Sequence, residues 1–275
     1  MTMRITCENC FHNCRLDDGQ TGLCHVWKNM AGTMECTNYG QISSIALDPI
    51  EKKPLYEFYP GTMILSIGSF GCNLRCGFCQ NYSISQYSDA NCRKMTADEL
   101  TELAHRLKIE HDNIGVAYTY NEPLISYPYL MACMKKIRES GMVNVVVSNG
   151  TISPSILSEL LPYIDAMNID LKGFSEEIYS SLGGNLANVM ENIRLAAQSC
   201  HVELTSLIVP GMNDGEDDMG RQAAWIASLD PEIPLHITRY FPRYHSTAPP
   251  TPIQTLKALK QRAKKHLRSV YLGNV

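Results

Sequence analysis

The sequence predicts an α/β protein: a full or partial barrel of βα units over residues 61–275, with a small cysteine-rich metal-binding module over residues 1–60 packed against it. Three observations carry that prediction. After residue 60, short apolar runs alternate with amphipathic stretches, the pattern of repeated βα units around a parallel sheet. Polar residues suited to chemistry fall where successive apolar runs end, which is the working face of a barrel. Residues 1–60 lack the alternation and are rich in Cys, Gly and Asn. Such a segment has too small a core to fold without a staple.

Taken in order, Met63 to Ser69, Ile114 to Tyr120, Val143 to Ser148, Ala166 to Leu171, Val202 to Val209, Leu235 to Tyr240 and Ser269 to Leu272 read as buried strands. Each run is short, rich in Val and Ile, and bounded by turn residues. Helix starts lie between them. Thr96 and Glu99 have capping-box spacing, and Ser153-Pro154 and Thr251-Pro252 each place a cap residue before a proline at the first helical position. Leu186, Val189, Met190, Ile193 and Ala197 recur at three and four residues, the stripe of a helix covering a sheet. The basic run from Lys257 to Arg268 has helical spacing and reads as a solvated helix face.

The 275 residues are 44% hydrophobic and 19% charged, which excludes a disordered or fibrous chain. Lys plus Arg total 24 against 28 Asp plus Glu, a net charge of −4, so no global basic field exists to hold nucleic acid. The start of the chain has no signal-peptide core, and no run approaches the roughly 20 apolar residues that span a bilayer. A cytoplasmic protein without nucleic-acid or membrane partners is expected.

Eleven cysteines in such a chain point to metal binding or thiol chemistry rather than disulfides. Cys7, Cys10, Cys14 and Cys24 form one group, Cys72, Cys76 and Cys79 another, and Cys36, Cys92, Cys133 and Cys200 are scattered. The scattered four read as small buried apolar residues. The first group is a sensible four-thiolate set for zinc, with His12 able to replace one ligand; an auxiliary iron–sulfur cluster is the rival reading. The second group, Cys-x3-Cys-x2-Cys, sits on the loop leaving the first strand of the barrel. Iron–sulfur clusters normally take four thiolates, so three close cysteines hold three irons of a four-iron cluster and leave the fourth open to substrate. A three-Cys zinc site completed by a distant His is the alternative; c-type haem is excluded, because no Cys-x-x-Cys-His occurs.

This triplet, with Phe78 just before its last cysteine, resembles the radical S-adenosylmethionine (radical SAM) superfamily. The resemblance extends over Asp48-Pro49-Ile50-Glu51-Lys52-Lys53-Pro54-Leu55, Gly71-Cys72-Asn73-Leu74, Cys79-Gln80-Asn81, Thr119-Tyr120-Asn121-Glu122-Pro123, Asn168-Ile169-Asp170-Leu171-Lys172 and Gly273-Asn274-Val275. Those segments look like the radical SAM member of the AmmeMemoRadiSam system, a relative of pyruvate formate-lyase activating enzymes. The resemblance implies a partial (β/α)6-type barrel in which Cys72, Cys76 and Cys79 hold a [4Fe-4S] cluster. S-adenosylmethionine would bind the open iron and, on reduction, give methionine and a 5′-deoxyadenosyl radical that abstracts hydrogen from substrate. It further implies a reductant such as flavodoxin or ferredoxin, and a protein or peptide substrate of the glycyl-radical kind; a small-molecule substrate stays open.

Around this centre the strand ends supply candidates. Asn121 and Glu122 fall where activating enzymes carry a Gly-Gly-Glu-Pro type turn, so the resemblance assigns them to the cofactor. A carboxylate such as Glu122 accepts from an ammonium group and equally suits a helix N-terminus. Asn149, in Ser148-Asn149-Gly150, is either a cofactor contact or a turn residue. Asp170 and Lys172 flank Leu171 and therefore share one side of the fourth strand end, where paired charges line a site. His236 is a substrate contact, a proton shuttle or a satisfied strand histidine. Arg239 matches a substrate or cofactor carboxylate bidentately. Asp170, Lys172 and His236 form the candidate catalytic set, and Asn121, Glu122, Asn149 and Arg239 the cofactor-binding set. Tyr118 and Tyr120 read as packing residues that also reach toward the mouth. A non-catalytic iron–sulfur or zinc protein that senses redox state or scaffolds partners is the reading from another class, and it has no need of Glu122, Asp170 and Lys172.

Overall fold

The computed structural model describes residues 4–87 and 90–275. Its centre is an eight-stranded sheet: β1 (Ser44–Pro49), β2 (Met63–Gly68), β3 (Asn113–Tyr118), β4 (Val143–Ser148), β5 (Ala166–Asp170), β6 (His201–Ile208), β7 (Leu235–Arg239) and β8 (Val270–Gly273). The strands lie in sequence order; β2 to β8 are parallel and β1 pairs antiparallel with β2. All seven expected strands are present within a residue or two of their expected ends. The sheet is open, with β8 and β1 at its two edges, so it is a partial barrel. The sheet also crosses the expected domain boundary at residue 60, because β1 comes from the N-terminal segment.

Helices α1 (Ala97–His111), α2 (Tyr127–Glu139), α3 (Pro154–Leu160), α4 (Glu176–Ser181), α5 (Leu186–Ala197), α6 (Glu216–Leu229) and α7 (Ile253–Ala263) fill the crossovers. The expected capping box opens α1: the Thr96 side chain accepts from the Glu99 N–H, and the Glu99 carboxylate accepts from the Thr96 N–H at 2.7 Å. Thr251 is not the cap of α7, which begins one residue later than expected. Its hydroxyl instead donates to the Ile208 carbonyl at 2.6 Å and accepts from the Tyr240 N–H, tying the ends of β6 and β7 together. Outward residues such as Leu65, Val116, Val146, Ile169 and Leu204 pack under the helices in one large core. On the basic helix, Leu256, Leu259 and Ala263 face that core, leaving the charges on the other side.

The lower interior of the barrel is filled by the segment between β1 and β2. Ile50 and Leu55 pack there against Ile64, Ala117, Val145 and Ala166. The same segment is held by hydrogen bonds: Asn168 donates to the Pro54 carbonyl at 2.7 Å, and the Tyr56 and Glu57 N–H groups donate to the Glu203 carboxylate at 3.0 and 2.8 Å. It therefore makes a floor, and the space above opens at the C-terminal ends of the strands. Residues before β1 form short antiparallel pairs, Ile5–Thr6 with Arg15–Leu16 and Trp27–Met30 with Thr33–Cys36. No described helix is long and apolar enough to cross a membrane.

Candidate active site

Between β2 and α1, the loop bearing Cys72, Cys76 and Cys79 lies over the strand ends. All three thiols line one cavity of about 450 Å³, together with Glu122, Asn149, Asp170 and Lys172. Asn121 holds the base of the loop: its Oδ1 accepts from the Ser69 N–H at 3.0 Å, and its Nδ2 donates to the Phe70 and Gly71 carbonyls at 3.1 and 3.0 Å. Gly71, at φ +89°, passes so close to the N-terminal segment that a Cβ would lie 2.5 Å from the Cys24 carbonyl oxygen. Arg75 fastens the other side, donating to the Cys72 carbonyl at 2.9 Å, to the Leu23 carbonyl and to His25. His12, considered above as a metal ligand, bonds the Asn73 carbonyl through Nε2 at 2.7 Å.

Polar groups lie close to two of the sulfurs. The Leu74 N–H lies 3.4 Å from Cys72 Sγ, Asn149 Nδ2 3.6 Å from the same sulfur, and Ser85 Oγ 3.2 Å from Cys79 Sγ. Burial first, then the nearby acidic groups, raise the Cys72 thiol far above its usual range, and burial lifts Cys76 to about 11. Thiols held this high keep their protons at neutral pH, and a bound cation would be needed to make them thiolates.

Glu122 is 2% exposed. Its carboxylate accepts from the Ser148 hydroxyl at 2.8 Å and from the N–H groups of Asn149 and Leu124 at 2.7 and 3.0 Å. The helix-start reading holds, since it caps the short turn Pro123–Ser126, and the same carboxylate lines the cavity. Burial, only partly offset by these donors, pushes its pKa up to about 7. Asn149 likewise serves a turn, accepting from the Thr151 N–H at 2.9 Å, while its Nδ2 donates to Asn73 Oδ1 at 3.0 Å. Asp170 and Lys172 share one side as expected and pair at 2.7 Å. Burial works to lower the Lys172 pKa, but the charges of Asp170 and Cys76 outweigh it and the net shift is upward.

Two candidates stand apart from the cavity. His236 lies one layer lower, 2% exposed, with Nε2 at 2.6 Å from Glu203 Oε2 and its ring against Tyr56 and Tyr271. The satisfied strand histidine describes it; Thr238, two residues on, is the cavity-lining residue of β7. Arg239 donates from Nε to the Thr251 carbonyl at 2.8 Å and stacks 4.9 Å above Phe241, beside the cavity rather than in its wall. Sequence reasoning missed the wall residues Lys52, Lys53, Thr205 and Thr238 and the buried Glu203. Strand parity was available for Thr205, Thr238 and Glu203, since alternate residues of one strand share a face.

At the N-terminal set, Cys7, Cys14 and Cys24 share a small apolar cluster with Leu16, Val26, Trp27 and Phe70. Cys36 and Cys92, read as scattered, pack against that cluster too, whereas Cys133 is buried in the main core and Cys200 packs at its edge. Among the described residues no three His, Cys, Asp or Glu side chains are gathered as they are around a bound ion. At the triplet the donor chemistry nonetheless fits an iron–sulfur cluster: three thiols face one cavity, with the Leu74 N–H beside Cys72 and the Ser85 hydroxyl in hydrogen-bond contact with Cys79.

An open α/β barrel with three cysteines on the first strand-to-helix loop defines a class, and the radical SAM superfamily model matches residues 66–223. The chain belongs to the radical SAM superfamily, whose members use a [4Fe-4S] cluster and S-adenosylmethionine. It is 39% identical, over 99% of its own length and 82% of the relative's, to an uncharacterized protein of Methanocaldococcus jannaschii. It is also 25% identical to the pyruvate formate-lyase-activating enzyme of Staphylococcus aureus, over 58% of this chain and 67% of that one. In structure it resembles a domain of the pyruvate-formate lyase-activating enzyme from Bacteroides vulgatus (TM-score 0.51, 19% identity, 58% of this chain and 99% of that one). It also resembles Streptococcus suis SuiB bound to S-adenosylmethionine (TM-score 0.56, 14% identity, 74% of this chain and 47% of that one).

Proposed function

We propose that Cys72, Cys76 and Cys79 hold the [4Fe-4S] cluster and that the cavity they line is where S-adenosylmethionine is cleaved and a substrate loses a hydrogen atom. The carrying observation is that the three thiols, Glu122, Asn149, Asp170 and Lys172 share one cavity at the strand ends. A cluster held by Cys72, Cys76 and Cys79 would, when reduced, supply one electron to the sulfonium of S-adenosylmethionine, which would give methionine and a 5′-deoxyadenosyl radical. The chain's own residues bind and orient. The Leu74 N–H and the Ser85 hydroxyl stabilise charge on the sulfurs, which tunes the cluster's potential. Glu122 faces the cavity with no cation bonded to it among the described residues, and so suits the ammonium of the cofactor's methionine end. The Lys172 ammonium, held by Asp170, suits a carboxylate. Asn121 and Arg75 act on the loop itself, as positioning residues.

Similarity to activating enzymes supports a protein or peptide substrate, with a flavodoxin or ferredoxin as reductant, and the cytoplasm as location. The N-terminal cysteines Cys7, Cys10, Cys14 and Cys24 take a second metal, zinc or iron–sulfur, which staples a segment with a core too small to stand alone. The test is anaerobic: load with iron and sulfide, reduce with dithionite, add S-adenosylmethionine and measure 5′-deoxyadenosine. Product is expected from the native chain and none from C72A/C76A/C79A, while metal retained by that variant belongs to the N-terminal set. Equal product from both chains overturns the assignment.

A further inference from the structure

Below the thiols, the same cavity reaches Lys52 and Lys53 on the segment that forms the floor. The two ammonium groups share a single carboxylate: Asp48 Oδ1 lies 3.0 Å from Lys52 Nζ and Asp48 Oδ2 3.0 Å from Lys53 Nζ. The Tyr120 hydroxyl donates to that same Oδ2 at 3.1 Å, so the acceptors of Asp48 are heavily used. Lys53 is the unusual member. Its side chain is 4% exposed, its ammonium sits 4.9 Å from the centre of the Tyr120 ring, and Asp48 is its one hydrogen-bond acceptor among the described residues. An ammonium carries three N–H donors, so a buried lysine with one acceptor is short of partners. Elsewhere in the wall, Lys172 has Asp170 to itself. The charge of the floor cluster is two cations against one anion.

Electrostatics at the two partners agree. Burial outweighs the Asp48 contacts at Lys53 and holds the ammonium pKa below its usual value, while at Asp48 burial is outweighed by Lys52 and Lys53 and the carboxyl pKa falls. The causes differ: burial lowers Lys53, whereas the two ammonium groups lower Asp48.

We propose that Lys52 and Lys53 form an anion subsite at the floor of the cavity, and that the substrate carries a carboxylate or phosphate group that completes it. This rests on the cavity being the substrate chamber, as proposed above. The anion would take the unused Lys53 N–H groups and bridge to Lys52, anchoring the substrate's charged end and leaving its other end toward the thiols.

The test is calorimetry on the anaerobically loaded full chain, with inorganic phosphate and acetate as separate probes at low ionic strength. Either anion is expected to bind the native chain with a millimolar dissociation constant, about tenfold more weakly in K53Q and about threefold more weakly in K52Q. In D48N, which removes the competing carboxylate, binding is expected to tighten, a change of sign that a purely structural role does not produce. If K53Q fails to fold, the exposed K52Q and the sign of the D48N effect carry the test. Preference for phosphate points to a phosphorylated substrate, preference for acetate to a carboxylate. No binding of either probe at about 10 mM, or equal binding in all four chains, overturns the proposal. Displacement of the anion by S-adenosylmethionine also overturns it, because the floor then serves the cofactor's own carboxylate. Binding needs no turnover, so a chain that makes no 5′-deoxyadenosine but binds anions sinks the radical reading of the cavity and leaves the subsite.

Discussion

Two buried carboxylates, Glu122 at the mouth of the barrel and Glu203 at its floor, meet opposite fates. Glu203 is 0% exposed and takes His201 Nε2 at 3.0 Å, His236 Nε2 at 2.6 Å and two backbone N–H groups. Burial pushes its pKa up, yet the four hydrogen-bond partners overcome that and hold it at about 2. Glu122 is equally hidden but has only three neutral donors, and it stays at about 7. The difference separates a part of the barrel that is finished from one that is not. At the floor the carboxylate ties two histidines to the segment around Tyr56, whereas at the mouth no cation among the described residues is bonded to the carboxylate.

Breaking the floor is expected to give the larger loss of stability. Glu203→Ala strands the buried His236 imidazole and takes the acceptor from His201 and from two backbone N–H groups, and should cost about 3–5 kcal/mol, read by urea unfolding of the metal-free protein at pH 7. Glu122→Gln, which keeps the shape and two acceptor positions, should cost only about 1–2 kcal/mol by the same assay. Its larger effect should fall on S-adenosylmethionine binding to the loaded enzyme, weakened by about tenfold or more. If Glu122→Gln proves as damaging to folding as Glu203→Ala, the distinction between the two ends fails.

Acid titration sharpens the contrast, because the two groups act in adjacent windows with opposite sign. The depressed Glu203 pKa contributes stability that is full above its ordinary value of 4.5 and lost as pH falls toward about 2. The raised Glu122 pKa does the reverse: stability declines as pH rises from 4.5 to about 7, since only the folded state still holds the proton there. Unfolding free energy measured against pH should have a shallower acid limb in Glu203→Gln, where Asp48 still contributes, and should lose its near-neutral decline in Glu122→Gln. The smallest effect is expected from Ser148→Ala, which deletes one neutral donor to Glu122, costs about 1 kcal/mol and moves the near-neutral decline to higher pH.

Much of the fold was legible because parallel strands covered on both faces read as unbroken apolar runs. The edge strand Ser44–Pro49 was not, since it is half-buried, mixed in character and set in a Cys- and Gly-rich segment. At the site, spacing alone found the thiols, and alternation alone placed Asp170 and Lys172 on one side. Periodicity gives a face but not a depth. His236 lies on the correct face and one layer too low, with Glu203, a lone acid in an apolar strand, as its partner. Lys52 and Lys53 fall in the Asp48–Leu55 segment that carries the resemblance but received no role, because nothing local shows that their segment turns under the barrel.

The claim on which the account turns is that Cys72, Cys76 and Cys79, rather than the N-terminal cysteines, make the centre that meets S-adenosylmethionine. Electron paramagnetic resonance of the reduced, loaded protein with and without S-adenosylmethionine, in the native chain and in C76A, tests it most directly. A cluster signal that changes on adding S-adenosylmethionine is expected from the native chain, and no such change from C76A. A change that persists in C76A would contradict it.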